Sequence, residues 1–310
     1  MKRITRAQAV VEGDDNIPLC TETIPDCKSC WLRVGNISKV PKCYHLWFID
    51  EGYREHNATM KAAAWSLFQF HNQTANIWTH LLGAIIMIVV LIQEITRFCL
   101  TDKAKWTDVD AVFQFYCLAA SFCLLFSSFF HWFQCISEDS HVKLLRMDLT
   151  GAAFLVAANF VGVVYYGFYC DSYHQHIYLV QSFMTLVGGM AAPWTSGQVP
   201  LIHMKTGPFI FMVLVGLGTI PFTHWISVTP EAVKEKVLPG ILMMFYSNIA
   251  GFIVFASRCP ERFFPKSLIA TQIFASHTLW HICGLLAVYG MKSGMEDYRN
   301  ILLQGKCPIE

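Results

Sequence analysis

Apolar residues fill this chain in long blocks, and short polar stretches separate them. Stretches of about 20 mostly apolar residues, enough to cross a bilayer as a helix, recur near 75–95, 110–134, 147–169, 177–195, 207–226, 238–257 and 268–291. The pattern predicts an all-α membrane protein, a bundle of seven transmembrane helices. Ahead of the first block lies a polar tail, and its last part, TMKAAAWSLFQFHN, is apolar but too short to span. It reads as an interfacial helix with Trp65 at headgroup level, or as a continuation of the first membrane helix. The predicted organisation is a tail over 1–73 with a short helix near 59–72, a membrane domain over 74–292 and a C-terminal tail over 293–310.

Composition agrees: 54% of residues are hydrophobic and only 15% charged, too apolar for an ordinary soluble domain. A net charge of +1, with no clustered basic face, gives no reason to expect nucleic acid. MKRITRAQAV lacks the pattern of a cleaved signal peptide. Lys2, Arg3, Arg6, Lys28, Arg33, Lys39, Lys42, Arg54 and Lys61 precede the first span, so the positive-inside rule places the N-terminus in the cytosol. Seven spans then put the C-terminus in a lumen or outside. Three sequons, at Asn36, Asn57 and Asn72, argue the other way if used, but a cytosolic tail leaves them unmodified.

Of twelve cysteines, eight are scattered and read as small hydrophobes. Cys20, Cys27, Cys30 and Cys43 cluster in the tail, where they are open to zinc ligation or, in a lumen, to disulfides. Cys307 heads a C-terminal tetrapeptide that ends in Glu, which is not a usual prenylation box.

Ionisable groups inside membrane-length apolar segments are costly and mark candidate sites. The second span ends in SSFFHWFQC, which puts Ser127 and His131 on one helical face; the third begins RMDLTGAAF, with Asp148 in its first turn. In the seventh, SHTLWH sets His277 and His281 on one face, about 14 to 20 Å from a start near residue 268. With a cytosolic N-terminus all five residues reach the cytosolic half of the bundle. Three neutral imidazoles can hold zinc and leave a fourth position for water. Asp148 and Ser127 would then position that water or a histidine. Interhelical hydrogen bonding is the alternative for any one of these histidines. His80, Asn159, Asn248 and His224 read as packing or interfacial groups, and Pro221 and Pro239 as kinks or helix boundaries.

NIWTHLLG (76–83), SFCLLFSSFFH (121–131), Asp148, PERFFP (260–265) and SHTLWH (276–281) together resemble the progestin and adipoQ receptor family. The resemblance implies seven helices, a cytosolic N-terminus and a zinc site on His131, His277 and His281, with Ser127 and Asp148 as associated polar residues. DEGYR (50–54), YCDSYHQHIYL (169–179), IPFTHW (220–225) and MEDYR near 295 look most similar to a Golgi subgroup. That likeness implies a signalling regulator whose cytosolic N-terminal region sequesters Raf kinase and damps growth-factor (MAPK) signalling. Other members suggest a zinc hydrolase acting on a lipid amide such as ceramide, with Asp148 and Ser127 catalytic, or a receptor for a lipid or sphingolipid. A rhodopsin-like receptor is disfavoured, because the acidic-Arg-aromatic triplet and NPxxY are missing. Thr278 stands where the HExxH metalloprotease pattern needs Glu.

Overall fold

A computed structural model of the chain describes residues 32–100, 107–195 and 207–305. Seven long helices are present among them: α2 Thr74–Leu100, α3 Asp108–Phe133, α4 Glu138–Gly167, α5 Ser172–Thr195, α6 Gly207–Val228, α7 Glu231–Ser257 and α8 Ser276–Leu303. A short α1, Met60–Trp65, and a two-stranded antiparallel ribbon precede them, β1 Val34–Gly35 against β2 Tyr53–Arg54. Four helices, α2, α3 with its short extension to Ile136, α4 and α7, are long and apolar enough to cross a membrane by length and composition.

The sidedness of α2 is that of a helix in lipid. Asn76, Ile77, His80, Gly83, Ala84 and Met87 turn inward, whereas Leu82, Ile85, Ile86, Val89, Ile92 and Ile95 turn outward. Both sets recur at helical spacing. The outward side chains are all large and apolar, and the inward ones, Ile77 and Met87 apart, are small or polar, which water would penalise and hydrocarbon favours.

Local chemistry starts the helices. Thr107 and Asp110 form a reciprocal capping box on α3. Ser137 accepts from Ser140 N at the head of α4, and Thr59 accepts from Ala62 N at the head of α1. Pro221 and Pro239 lie inside α6 and α7, not at their boundaries. The contact between α7 and α8 depends on glycine: a Cβ on Gly240 would meet Gly290 O and Gly294 N at 2.6 Å. Small residues of this kind let membrane helices pack backbone to backbone.

Three expectations need correction. First, α8 starts at Ser276 and not near 268. Residues Ile269–Ile273 form a separate π turn, and the buried Glu261 carboxylate accepts from Ser276 N at 2.7 Å and from the Ser276 hydroxyl. A carboxylate at a helix N-terminus satisfies orphan N–H groups and the dipole. α8 continues to Leu303, and its polar residues find partners: Arg299 with Glu94, Lys292 with Glu296. Second, α4 starts at Glu138, so Asp148 lies about 15 Å along it and not in its first turn. Third, the segment from 32 to 73 is no plain tail. It folds over the end where α2, α4 and α8 start and α3 and α7 finish.

In that segment α1 is separate from α2. The chain reverses between them, with Asn72 N bonded to Gly52 O at 2.9 Å. Ala63 of α1 is buried and its carbonyl accepts from Trp132 Nε1, while Met60, Trp65, Phe68 and Phe70 remain exposed. That is an amphipathic, interfacial surface. Among the cysteines, Cys117 and Cys135 are free and buried, as expected of small hydrophobes, but Cys170 at the α4–α5 turn is disulfide-bonded. Cys20, Cys27 and Cys30 lie outside the described residues; Cys43 is free.

Candidate metal centre

His131 stands in the last turn of α3, and His277 and His281 occupy the first two turns of α8. One ring nitrogen from each lies within 4.8 Å of the others, and the Nε2 atoms of His131 and His277 are 3.2 Å apart. His131 and His281 are buried. Three imidazoles gathered this closely could hold a metal ion between them.

Their outer nitrogens show which atoms face inward. His131 Nδ1 is 2.7 Å from Gln73 Oε1. An amide oxygen only accepts, so Nδ1 carries the proton and the Nε2 lone pair is left for the centre. His281 Nδ1 is 3.2 Å from the Asn76 carbonyl oxygen, with the same consequence, and 3.4 Å from Thr79 Oγ1. The Asn76 side chain ties this scaffold together: Nδ2 donates to Gln73 Oε1 at 3.0 Å, and Oδ1 accepts from Thr278 Oγ1 at 2.7 Å. The His80 ring stacks on His281 at 3.6 Å. An outer hydrogen bond that orients a metal-binding histidine and fixes its tautomer is the usual support of such ligands, so these residues fit zinc.

Asp148 and Ser127 take a different place. Ser127 hydrogen-bonds the Asp148 carboxylate, and neither belongs to the set of ligand atoms within 4.8 Å.

The folded N-terminal segment presses on the same place. Arg54 is buried, and its guanidinium donates to His131 O at 2.6 Å, Trp132 O at 2.7 Å and Ser66 Oγ at 2.7 Å. Two of these acceptors are carbonyls at the C-terminus of α3, where a cation complements the helix dipole. Burial lowers the guanidinium's pKa from its ordinary value. His71 beside it donates through Nε2 to Ser66 O at 3.1 Å and accepts Gln73 N–H at Nδ1, also at 3.1 Å. Burial first, and then the Arg54 charge, push its pKa down to about 2, so the ring is neutral.

Sequence reasoning did not single out Gln73, Asn76, Arg54 or Glu261 as site residues, and read His80 as a packing or interfacial group, which its stacking on His281 fits. A signal existed for three of them: Gln73, Asn76 and His80 recur as i, i+3, i+7, a polar stripe entering an apolar span. Arg54 and Glu261 fall inside the DEGYR and PERFFP stretches, but their roles depend on partners elsewhere in the chain. His224 bonds Tyr178 OH at 3.0 Å and Asn248 bonds its own helix at Met244 O, both packing roles as expected.

Residues 68–291 match the model of the haemolysin-III-related family. The chain is 27% identical over 247 residues to progestin and adipoQ receptor family member 3 of Mus musculus, covering 78% of each protein. It is 32% identical over 275 residues to an adiponectin receptor protein of Drosophila melanogaster, covering 85% of this chain and 59% of that one. Heptahelical transmembrane protein 1 of Arabidopsis thaliana is 28% identical over 260 residues, covering 78% of this chain and 75% of that one.

Proposed function

The chain belongs to the haemolysin-III-related family of progestin and adipoQ receptors, and on that premise we propose that it is a zinc-binding, seven-span Golgi membrane protein with a cytosolic N-terminus that regulates signalling by holding Raf kinase. The observation that carries the metal reading is the convergence of His131, His277 and His281 with two of their outer nitrogens already engaged. Zinc would be held by these three side chains and would join α3 to α8. Asn76 and Gln73 keep the rings of His281 and His131 in register with or without it.

Cys170, at the end away from the histidines, is disulfide-bonded, as suits an oxidising lumen, while Cys99 at that end is free. Of the three sequons, Asn72 is only 4% exposed, too buried to carry a glycan, whereas Asn57 is exposed. The folded segment with its exposed Trp47 and Phe48 offers a surface to a cytosolic partner.

A second reading, a hydrolase for ceramide-like lipid amides, draws on the Ser127–Asp148 pair near a donor set that leaves a fourth position open. Zinc held by three histidines supplies a water of lowered pKa; Asp148 would take or return a proton and Ser127 would orient its carboxylate.

One set of zinc-loaded proteoliposomes separates the readings. With the regulator reading, they sediment purified Raf kinase where empty liposomes do not, and they release no fatty acid from ceramide. Fatty acid release that disappears in Asp148→Asn at equal zinc content makes the hydrolase primary. Failure to retain Raf kinase removes the scaffold.

A further inference from the structure

The folded N-terminal segment holds His131 of the metal centre at two points. Gln73 holds the ring from its outer nitrogen at 2.7 Å, and Arg54 holds the backbone carbonyl at 2.6 Å. The two holds are connected. Arg54 and His71 both bond Ser66, and His71 accepts the Gln73 amide N–H, so Arg54, Ser66, His71 and Gln73 form one chain of contacts around the end of α3. Arg54 sits on β2, paired with Val34 of β1, which extends the chain of contacts to the outer part of the segment.

We propose that this segment is a working part of the metal centre: Gln73 and Arg54 are positioning residues for His131, and metal occupancy is coupled to the seating of the segment. The inference rests on the zinc reading above. Its physical basis is the direction of each bond. Gln73 Oε1 keeps the proton on Nδ1 and so keeps Nε2 available, and without an acceptor the ring is free to turn or to change tautomer. Metal bound at Nε2 makes Nδ1–H a better donor and tightens the Gln73 contact. Any partner that prefers one seating of the segment then changes metal affinity, and metal changes the partner's affinity by the same factor.

The test uses the full chain in lipid nanodiscs and reads zinc affinity by competition with a chromophoric chelator. Gln73→Met, which keeps the bulk and loses the acceptor, is expected to weaken zinc about 10- to 100-fold. Gln73→Glu restores an acceptor and is expected to bind within a few-fold of wild type or tighter. A purely structural role predicts a different order, because a buried carboxylate would harm packing more than Met. Amide exchange over 52–58 is expected to quicken when zinc is chelated from wild type. Wild-type affinity in Gln73→Met, or exchange over 52–58 indifferent to zinc, overturns the proposal. A wild-type chain that takes up no zinc is a distinct result: it removes the metal reading and this inference with it.

Discussion

The two ends of the bundle join α2, α3 and α8 by opposite means. At the end away from the histidines, Arg299 of α8 bonds Glu94 of α2 at 2.9 Å, and Arg97 of α2 bonds Asp110 of α3 at 2.9 Å. Arg299 also lies over the Phe113 ring at 4.5 Å. Two guanidiniums face two carboxylates, so the chain supplies both signs. At the histidine end the same three helices present imidazoles and amides, with three ring nitrogens gathered within 4.8 Å. The first end is electrostatically complete as folded; the second gathers lone pairs that a cation would satisfy. An end that depends on an added ion can be switched by that ion, and an end that holds both charges cannot.

Removing the metal should break this contrast most strongly. With free zinc at about a thousand times Kd, bound metal adds about 4 kcal/mol to stability, so chelation should lower the Tm of wild type. His281→Ala should hold no zinc at this site and melt at the same temperature with or without chelator. A chelator effect that persists in His281→Ala would place the metal elsewhere.

Next comes the ionic end. Arg299→Met leaves Glu94 and Asp110 without that partner, and its side chain is only 6% exposed, so a loss of roughly 3–5 kcal/mol is expected. The loss should be the same with and without zinc, while zinc affinity stays at the wild-type value. Altered zinc affinity would show that the two ends communicate through α8.

The smallest effect sharpens the comparison by pH. An unseated His71 takes up a proton near its ordinary pKa of about 6.5, whereas the seated ring, held down to about 2, does not. The unseated state therefore binds more protons in between. Seating is favoured in full above about 6.5 and weakens as pH falls below it. Limited proteolysis of residues 32–59, compared at pH 7.5 and pH 5.5, should be faster at the lower pH in wild type. The reading is the difference from His71→Gln, which should lose this part of the dependence. Identical pH responses in the two proteins would exclude His71 as the cause.

Several parts of this molecule were legible in the sequence. Apolar blocks of membrane length located the helices, and HxxxH with SxxxH selected His131, His277 and His281, because helical spacing by itself puts such residues on one face. Membership of the family was legible for the same reason, its motifs being local. Helix ends were not: α4 begins at Glu138 because Ser137 caps it, and α8 begins at Ser276 because Glu261 caps it. Hydropathy registers neither cap. That difference placed Asp148 well inside α4 and brought His277 into the first turn of α8.

By itself, then, the chain's pattern determined which segments become helices, which face of each is polar, and which three histidines can act together. Only the tertiary structure decided that residues 32–73 fold over the histidine end, that Arg54 reaches the His131 carbonyl, and that Gln73 and Asn76 set the tautomers of His131 and His281. The physical reason is range. Periodicity records what a residue does within its own helix, whereas Arg54 and His131 are 77 positions apart and Asn76 and His281 are 205, and such pairs exist only once the helices have packed.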